Sequence, residues 1–222
     1  MALSGTGSAA AQTTAAIRAL GVVAVVRITD RTRLRAALDA IGEGGVSAIE
    51  ITMTVPNAID VIRDLAQTLP SALLGAGTVL DVATARAAFD AGARFVVSPI
   101  LSDALLEEAT RHDAPMIPGC FSPTEIAKAV AAGASLVKVF PATSLGPGYI
   151  KDLRGPFPAL NLIPTGGVTP DNAGDWIRAG AAAVGVGTAL LDAAAIAGGR
   201  YDVLRANAER LVGNVRAARG GR

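Results

Sequence analysis

The stretch Ala134-Ser-Leu-Val-Lys-Val-Phe-Pro141 places a lysine inside a run that otherwise has the pattern of a buried strand. Side chains alternate between the two faces of a strand, so Leu136, Lys138 and Phe140 share one face. If both faces are covered, the ammonium group of Lys138 has no easy route to water. Its pKa then falls, and the neutral amine becomes a nucleophile toward carbonyl carbon. The alternative is a lysine at a strand edge, whose stem packs while its charged head reaches water.

Outward from this stretch, strand-like segments alternate with helix-like segments along the whole chain. Residues 22–28 form a near-continuous β-branched run, which is typical of a strand covered on both faces, and comparable segments recur roughly every 20 to 25 residues. The pattern predicts strands at 22–28, 46–52, 72–78, 94–99, 115–119, 134–141, 160–165 and 182–187. We therefore predict an α/β fold, a single (β/α)8 TIM barrel over residues 15–222. An extra N-terminal helix over 14–20 and a flexible lead-in over 1–14 precede it, and a doubly wound open sheet is the alternative fold.

Composition restricts the possible partners. The 222 residues are 51% apolar but only 4% aromatic, and the net charge is +1. Neither a nucleic-acid partner nor a membrane span is expected, since stacking platforms, a basic surface and an apolar run of about 20 residues are all missing. The lead-in lacks the features of a signal peptide, so we expect a cytoplasmic protein.

Cysteine and histidine are too scarce for a transition-metal centre, which leaves only a hard cation held by carboxylates as an alternative. With one cysteine and one histidine, an internal disulfide is excluded and a transition-metal site is disfavoured, so no metal and no cofactor are predicted. Cys120 is expected to be a small buried residue rather than a nucleophile. Trp176, at helical spacing, is expected to serve packing or subunit contact.

Lysine usage singles out one candidate nucleophile. The chain has three lysines against seventeen arginines, and an arginine stays protonated and cannot form an imine. Lys128 and Lys151 lie in predicted helices and are expected to be solvated. Lys138 alone lies in a predicted strand.

The carboxyl ends of barrel strands converge on one mouth, which is where this fold carries catalysis. Glu50 lies there as an ionisable group in the apolar sequence I-E-I-T, on the same strand face as Ala48 and Thr52. The alternative for Glu50 is an ion pair with Arg27 or Lys138 that holds the barrel together. The ends of the predicted strands place Arg27, Thr52, Thr78, Pro99, Phe140 and Thr165 at the same mouth, with Thr54 two residues beyond Thr52, which is where this fold has its binding site.

Glycine-rich segments end the last two predicted strands. They are P-T-G-G-V at 164–168 and V-G-V-G-T at 184–188. Barrels often hold a phosphate at these two strands with backbone N–H groups, and glycine lets the backbone approach an anion closely. We predict a phosphate site formed by Gly166, Gly167, Gly187 and Thr188, although each segment alone could be a tight strand-to-helix turn.

Several motifs together resemble a known family of enzymes. They are G-G-V-S-A-I-E-I-T (44–52), G-A-G-T-V-L (75–80), V-S-P (97–99), I-P-G (117–119), V-K-V-F-P-A (137–142), G-P-F-P (155–158) and P-T-G-G-V (164–168). The chain resembles the class I aldolases of the 2-keto-3-deoxy-6-phosphogluconate (KDPG) and 4-hydroxy-2-oxoglutarate (KHG) family.

The resemblance implies a role for each matching residue. It implies that Lys138 forms the Schiff base and that Glu50 is its acid/base. It further implies that Thr78, Pro99 and Phe140 line the pyruvyl pocket, that Gly166, Gly167 and Thr188 hold the phosphate, and that the protein is a metal-free homotrimer.

One position departs from the family pattern. Many members carry an arginine two residues after the second-strand threonine, where this chain has Thr54. A hydroxyl does not replace a bidentate guanidinium, so Arg27, which ends the first strand, is the candidate to bind the substrate carboxylate.

The expected reaction is cleavage of KDPG to pyruvate and glyceraldehyde 3-phosphate, and of KHG to pyruvate and glyoxylate. Two alternatives remain at this point. An isomerase-type phosphosugar barrel would use Glu50 as base without an imine, and a non-catalytic trimeric scaffold would keep only the fold.

Overall fold

The computed structural model describes residues 7–220, in which short strands alternate with helices. The strands are β1 (Val22–Val26), β2 (Ala48–Thr52), β3 (Leu73–Gly77), β4 (Phe95–Val97), β5 (Met116–Ile117), β6 (Gly119–Cys120), β7 (Val137–Val139), β8 (Leu162–Pro164) and β9 (Val184–Val186). The helices are α1 (Ala9–Leu20), α2 (Arg31–Glu43), α3 (Ala58–Thr68), α4 (Val82–Asp90), α5 (Asp103–Arg111), α6 (Pro123–Ala131), α7 (Gly146–Arg154), α8 (Ala173–Ala179), α9 (Ala193–Ala197) and α10 (Tyr201–Gly220), with a 3-10 turn at Ala142–Ser144. No helix in this part of the chain has the length and apolar character needed to cross a membrane.

The strands form two parallel sheets. One has the order β5-β4-β3-β2-β1-β9 and the other the order β6-β7-β8. A parallel bridge between Thr165 and Gly185 connects the end of β8 to β9. The α/β class with parallel strands in a curled sheet is confirmed, whereas closure into an eight-stranded barrel stays a prediction.

Proline divides the predicted fifth strand into β5 and β6. Pro118 lies between them and has no N–H to donate to a neighbouring strand. Its carbonyl still accepts a hydrogen bond from the Lys138 amide at 2.9 Å, and the Gly119 amide donates to the Ile100 carbonyl at 3.3 Å. The break therefore leaves the backbone between the two sheets hydrogen-bonded on both sides.

A second, smaller core lies on the inner face of the sheets. It is formed by Ile17, Val23, Ala48, Phe95, Val97, Ile117, Leu136, Ile163 and Ala183. Val137 and Val139 instead belong to the larger core beneath the helices, so β7 alternates between two apolar layers. This confirms the predicted alternation and places Lys138 on the inner face, two residues from Leu136.

Helix α1 begins at Ala9 rather than near Thr14. The Ser8 hydroxyl accepts from the Ala11 amide at 3.2 Å. The carboxylate of Asp113 accepts from the Ala9 amide at 2.7 Å and from the Ala10 amide at 3.3 Å. The flexible lead-in predicted for 1–14 is therefore wrong from Ala9 onward, because a distant side chain caps the helix; residues 1–6 lie outside the described part.

Candidate active site

Lys138 lies at the centre of the three-stranded sheet and is almost completely buried. Strand β7 pairs with β6 on one side and β8 on the other, with Lys138 opposite Gly119 and Ile163. Only 4% of the residue is exposed, and its Nζ atom lies 4.9 Å from the centre of the Phe140 ring. The alternative of a strand-edge lysine with a solvated head is therefore wrong. Lys128 and Lys151 are exposed on helices, as predicted.

Burial makes Lys138 a weaker base. Loss of hydration lowers its pKa from the usual 10.5, because the charged ammonium is the form that water stabilises. The negative charge of Glu50 opposes this shift, and the positive charge of Arg27 reinforces it. The net result favours the neutral amine, which is the nucleophilic form.

Glu50 enters the same interior from β2 and is 3% exposed. Its Oε1 atom is buried and has no hydrogen-bond partner among residues 7–220. No ion pair joins Glu50 to Arg27 or Lys138 within these residues, so the expected alternative of a structural ion pair is not supported. Burial raises the pKa of Glu50, while the positive charges of Lys138 and Arg27 oppose the increase. A carboxyl group in this state can donate a proton and take it back.

A small cavity brings Glu50, Lys138 and Thr165 together. Its walls are completed by Val23, Val97, Ile117, Ile163 and Gly185. The space is about large enough for one water molecule, which could relay a proton between the polar groups. The Thr165 hydroxyl lies 3.5 Å from the Ile163 carbonyl, a weak hydrogen bond that leaves it free to face the cavity.

Two glycines admit the polar side chains to this cavity. A Cβ atom on Gly77 would lie 1.9 Å from Oε1 of Glu50, and one on Gly185 would lie 2.2 Å from Oγ1 of Thr165. Sequence analysis gave no role to these glycines. Their positions inside strands could have indicated it, because a glycine weakens a strand and is often found where another group approaches the backbone closely.

Arg27 lies at the mouth, beside the ends of β1 and β9. Its side chain is exposed and lines a cavity of about 400 Å³ together with Gly187 and Thr188. A Cβ atom on Gly187 would lie 3.2 Å from Nη1 of Arg27, so the missing side chain leaves room for the guanidinium. Arg27 also acts electrostatically on both Glu50 and Lys138, which places a fixed positive charge near the reactive pair.

Thr52 and Thr54 form a hydrogen-bonded pair at the carboxyl end of β2. The Thr52 hydroxyl donates to the Val26 carbonyl at 2.9 Å. Because its single proton is used there, Thr52 accepts from the Thr54 hydroxyl at 2.6 Å. Thr52 is fully buried and Thr54 is exposed, so this pair connects β1 to the surface of the mouth.

Thr78, Pro99 and Phe140 follow the ends of β3, β4 and β7. Thr78 has a φ of 59°, a left-handed conformation that is strained for a β-branched residue and that is frequent at functional sites. Pro99 packs against Gly119, where a Cβ would lie 2.3 Å from the proline carbonyl. Phe140 lies beneath the Lys138 amine. All three are half-buried at the mouth above Lys138 and Glu50.

The predicted phosphate residues fall into two neighbouring groups. Gly166 and Gly167 have positive φ angles of 97° and 71° and pack against Thr143 in the 3-10 turn. Gly187 and Thr188 line the cavity of Arg27 instead. The two groups lie on adjacent strand ends, because Thr165 bridges to Gly185, but they do not share the walls of a single cavity.

The family model described as KDPG and KHG aldolase matches residues 13–206. The chain belongs to this family. It is therefore an aldolase, an enzyme of the carbon–carbon lyase class, and the scaffold alternative is wrong.

Individual aldolases agree with this assignment. The 2-dehydro-3-deoxy-phosphogluconate aldolase of Pseudomonas aeruginosa is 40% identical over 157 residues, which are 70% of this chain and 71% of that protein. A crystal structure of KDPG aldolase from Legionella pneumophila, with pyruvate captured at low pH as a covalent carbinolamine intermediate, superimposes with a TM-score of 0.83 at 29% identity. That comparison covers 90% of this chain and 98% of the other.

A second similar structure is an assembly. It is a cube-shaped porous protein cage designed by fusing symmetric oligomeric domains, with a TM-score of 0.81 and 30% identity. The match covers 90% of this chain and 74% of the cage chain. The aldolase fold is thus found in a protein built from oligomeric domains.

Proposed function

We propose that this aldolase cleaves KDPG to pyruvate and glyceraldehyde 3-phosphate through an imine on Lys138. The observation that carries the proposal is that Lys138 and Glu50 are both buried on one small cavity. Burial lowers the pKa of the Lys138 amine, and Oε1 of Glu50 has no hydrogen-bond partner among residues 7–220. Imine chemistry needs an uncharged amine and a nearby acid/base. An isomerase-type site would need only the carboxyl group and would leave the burial of Lys138 unexplained.

Substrate binding uses the charged and glycine-rich groups around the mouth. Arg27 takes the substrate carboxylate, since it is the cation nearest the reactive pair and carries no ion pair within residues 7–220. The pyruvyl part lies against Thr78, Pro99 and Phe140, with Thr52 and Thr54 supporting the β2 side. Phosphate is held at the ends of β8 and β9 by Gly166, Gly167, Gly187 and Thr188, whose backbone N–H groups suit an anion.

The first half of the reaction builds the imine. The neutral Lys138 amine attacks C2 of the substrate, so that a C–N bond forms as the C2=O π bond breaks, and a proton passes from the nitrogen to the C2 oxygen to give a carbinolamine. Glu50, whose raised pKa keeps a proton available, protonates the departing C2 hydroxyl, which leaves as water. The resulting iminium ion draws electrons from the rest of the substrate.

The second half breaks the carbon–carbon bond. Glu50, now a carboxylate, removes the proton of the C4 hydroxyl, directly or through a water in the small cavity. The C3–C4 bond breaks, C4 leaves as the aldehyde, and the electron pair of the bond passes into the imine to give an enamine. Glu50 returns its proton to C3, and water hydrolyses the imine to release pyruvate and the free amine.

KHG is the second substrate that this site suits. Its cleavage to pyruvate and glyoxylate uses the same C2, C3 and C4 atoms, and the Lys138 and Glu50 steps do not involve the phosphate. The phosphate site should then affect the KM for KDPG far more than the turnover of KHG.

The assembled protein is a homotrimer of closed (β/α)8 barrels in the cytoplasm. The Thr165–Gly185 bridge and the short break at Pro118 support closure of the sheet. Leu80, Ile100 and Phe121 follow β3, β4 and β6 and are 55%, 50% and 43% exposed. Large apolar side chains exposed at the same end of neighbouring strands are suited to a subunit interface.

Reductive trapping tests the proposal directly. Borohydride with pyruvate should attach a stable adduct to Lys138, located by peptide mass mapping, and Lys138→Ala should abolish both adduct and cleavage. Lys128→Ala and Lys151→Ala are matched controls that should retain both. An enzyme that forms no adduct but still turns over a phosphosugar would support the isomerase alternative.

A further inference from the structure

A cavity of about 560 Å³ lies at the end of the sheets opposite Lys138. Its walls include Leu160 and Asn161, which precede β8, and Ala181 and Ala182, which precede β9. Lys138 and Glu50 lie instead within β7 and β2, on a cavity that shares no lining residue with this one, and the glycine-rich segments lie at or after the carboxyl ends of β8 and β9. This lower cavity is therefore separate from the active site.

Three arginines from three helices face the lower cavity. Arg18 comes from α1, Arg154 from the end of α7 and Arg219 from the end of α10. Among the residues that the structure describes, no aspartate or glutamate lines it. Among residues 7–220, neither Arg18 nor Arg154 forms an ion pair with a carboxylate. The chain as a whole is nearly neutral, at +1, so this concentration of positive charge is a local feature.

Another surface cavity shows the more usual arrangement. Arg35 lines a cavity between α2 and α3 together with Asp39 and Glu43. There the arginine is neutralised, with its Nε atom 2.8 Å from an Asp39 carboxylate oxygen. In the lower cavity, by contrast, Arg18 and Arg154 have no such carboxylate partner among residues 7–220.

Two of the three guanidinium groups are held in place by the backbone. Arg154 donates to the carbonyls of Gly180 and Pro158, both at 3.0 Å. Arg219 donates to the carbonyls of Ala19 and Arg18 at 2.6 Å and of Ala182 at 2.9 Å. A guanidinium has five N–H donors, so Arg154 retains donors for a ligand while its position is already fixed. Fixing a group before binding reduces the entropy lost on binding.

We propose that the lower cavity binds a small organic phosphate. Arginine forks match the geometry of phosphate oxygens, and the volume is within the range for metabolite pockets but exceeds what a lone phosphate ion needs. The ligand would connect α1, through Arg18, to the ends of α7 and α10. Ile17, next to Arg18, is part of the inner core, so occupancy also fixes α1 against the base of the sheets.

Trp176 allows binding at this end of the fold to be measured. It is the one tryptophan of the chain and lies on α8, next to Ile177, which lines the lower cavity. Its fluorescence can be followed during titration with inorganic phosphate and with glycerol 3-phosphate, at constant ionic strength. We expect a saturable change, with glycerol 3-phosphate binding more tightly than inorganic phosphate.

Variants decide where the anion binds. Arg18→Gln should weaken binding by about tenfold or more, since it removes a charge-assisted contact, while leaving aldol cleavage unchanged. Arg216→Gln, which changes another exposed arginine on α10 away from the cavity, should bind like the wild type. Arg154→Lys keeps the charge but loses the fork and should weaken binding as well.

Three results would overturn the assignment. They are no saturable response to either anion, equal responses in the wild type and Arg18→Gln, and binding of glycerol 3-phosphate no tighter than that of inorganic phosphate. Because cleavage activity is a separate readout, failure of this proposal leaves the Lys138 chemistry untouched.

Discussion

The backbone of Gly77 lies directly against the carboxyl group of Glu50. A Cβ atom at position 77 would be 1.9 Å from Oε1, far inside contact distance. Among residues 7–220, no hydrogen bond at Oε1 holds the carboxyl group. Its position therefore depends on the space left because residue 77 is a glycine. The position of the Glu50 carboxyl group, the proposed acid/base, is thus set by packing against β3.

Gly77→Ala should therefore lower kcat for KDPG cleavage by about 10²- to 10⁴-fold, the usual range for loss of a general acid–base. The methyl group must displace Glu50 from the cavity, while the Lys138 amine stays in place. We expect pyruvate to be trapped on Lys138 by borohydride even though turnover is slow. Steady-state kinetics and trapping measured on the same preparation check this.

Gly42→Ala is the matched control, because a Cβ there meets nothing within 4 Å. It should keep the wild-type kcat. If Gly77→Ala is unstable instead, the shorter carboxylate of a Gly77→Ala, Glu50→Asp double variant should restore the melting temperature. Wild-type turnover in Gly77→Ala would show that the contact does not position Glu50.

The charges around Lys138 predict opposite pH shifts in two variants. Burial has the largest effect on the pKa of Lys138 and lowers it; the negative charge of Glu50 raises this pKa, and the positive charge of Arg27 lowers it further. Glu50→Gln should therefore move the acidic limb of pyruvate trapping to lower pH, because the neutral amine persists further into acid. Arg27→Gln should move that limb to higher pH. Trapping rates with cyanoborohydride at saturating pyruvate give both profiles.

Arg27→Lys keeps the positive charge and serves as the control for these profiles. Its acidic limb should stay close to the wild type, although the KM for pyruvate rises with loss of the guanidinium fork. Shifts of the same sign in Glu50→Gln and Arg27→Gln would contradict the electrostatic assignment. Glu50→Gln should also slow KDPG turnover by about 10²- to 10⁴-fold.

The positions of Lys138 and Glu50 within apolar strands could be predicted from the sequence because strand periodicity is local. Lys138 and Glu50 each interrupt an apolar strand, and the alternation of faces was sufficient to place them inside the sheets. The role of Gly77 beside Glu50 was missed, because which residues face Gly77 depends on the pairing register of β2 and β3, with Thr52 opposite Gly77. Register between strands is not encoded in either strand alone.

The ends of the elements depended on contacts that are distant in the chain. Asp113 caps α1 from beyond α5, so the start of that helix could not be inferred from residues 1–14. Pro118 leaves two short strands where one was predicted, since the missing N–H matters only once a neighbouring strand is present. The lower cavity also joins residues from α1, α7 and α10, which no local pattern connects.

Cys120 should be unreactive in the native enzyme. It is buried, and loss of hydration, reinforced by the negative charge of Glu125, raises the pKa of the thiol to about 11. The thiolate is the reactive form, so labelling with a disulfide reagent at pH 8 should be slow in the folded protein and complete in denaturant. Fast, stoichiometric labelling of the native protein would show that this part of β6 opens to solvent.

Glu108 should stabilise the protein at neutral pH and lose that effect in acid. Its buried carboxylate accepts from Arg86 at 2.9 Å and 3.2 Å and from Arg111 at 2.8 Å. Hydrogen bonds from Arg86 and then Arg111 lower its pKa from 4.5 to about 2. Because the folded pKa lies below the unfolded one, the stabilisation is complete above pH 4.5 and is lost as the pH falls toward 2.

Glu108→Gln should accordingly lower the melting temperature at pH 7, and the difference from the wild type should shrink as the pH is reduced from 4.5 toward 2. Glu107→Gln is the matched control, since the side chain of Glu107 is 69% exposed and its contact with Arg111 is long, at 3.6 Å. An exposed ion pair contributes little, so that variant should melt close to the wild type at each pH. Thermal unfolding followed by circular dichroism across this pH range measures both. A constant difference between Glu108→Gln and the wild type from pH 7 to pH 2 would mean that packing, rather than the charge of Glu108, carries the effect.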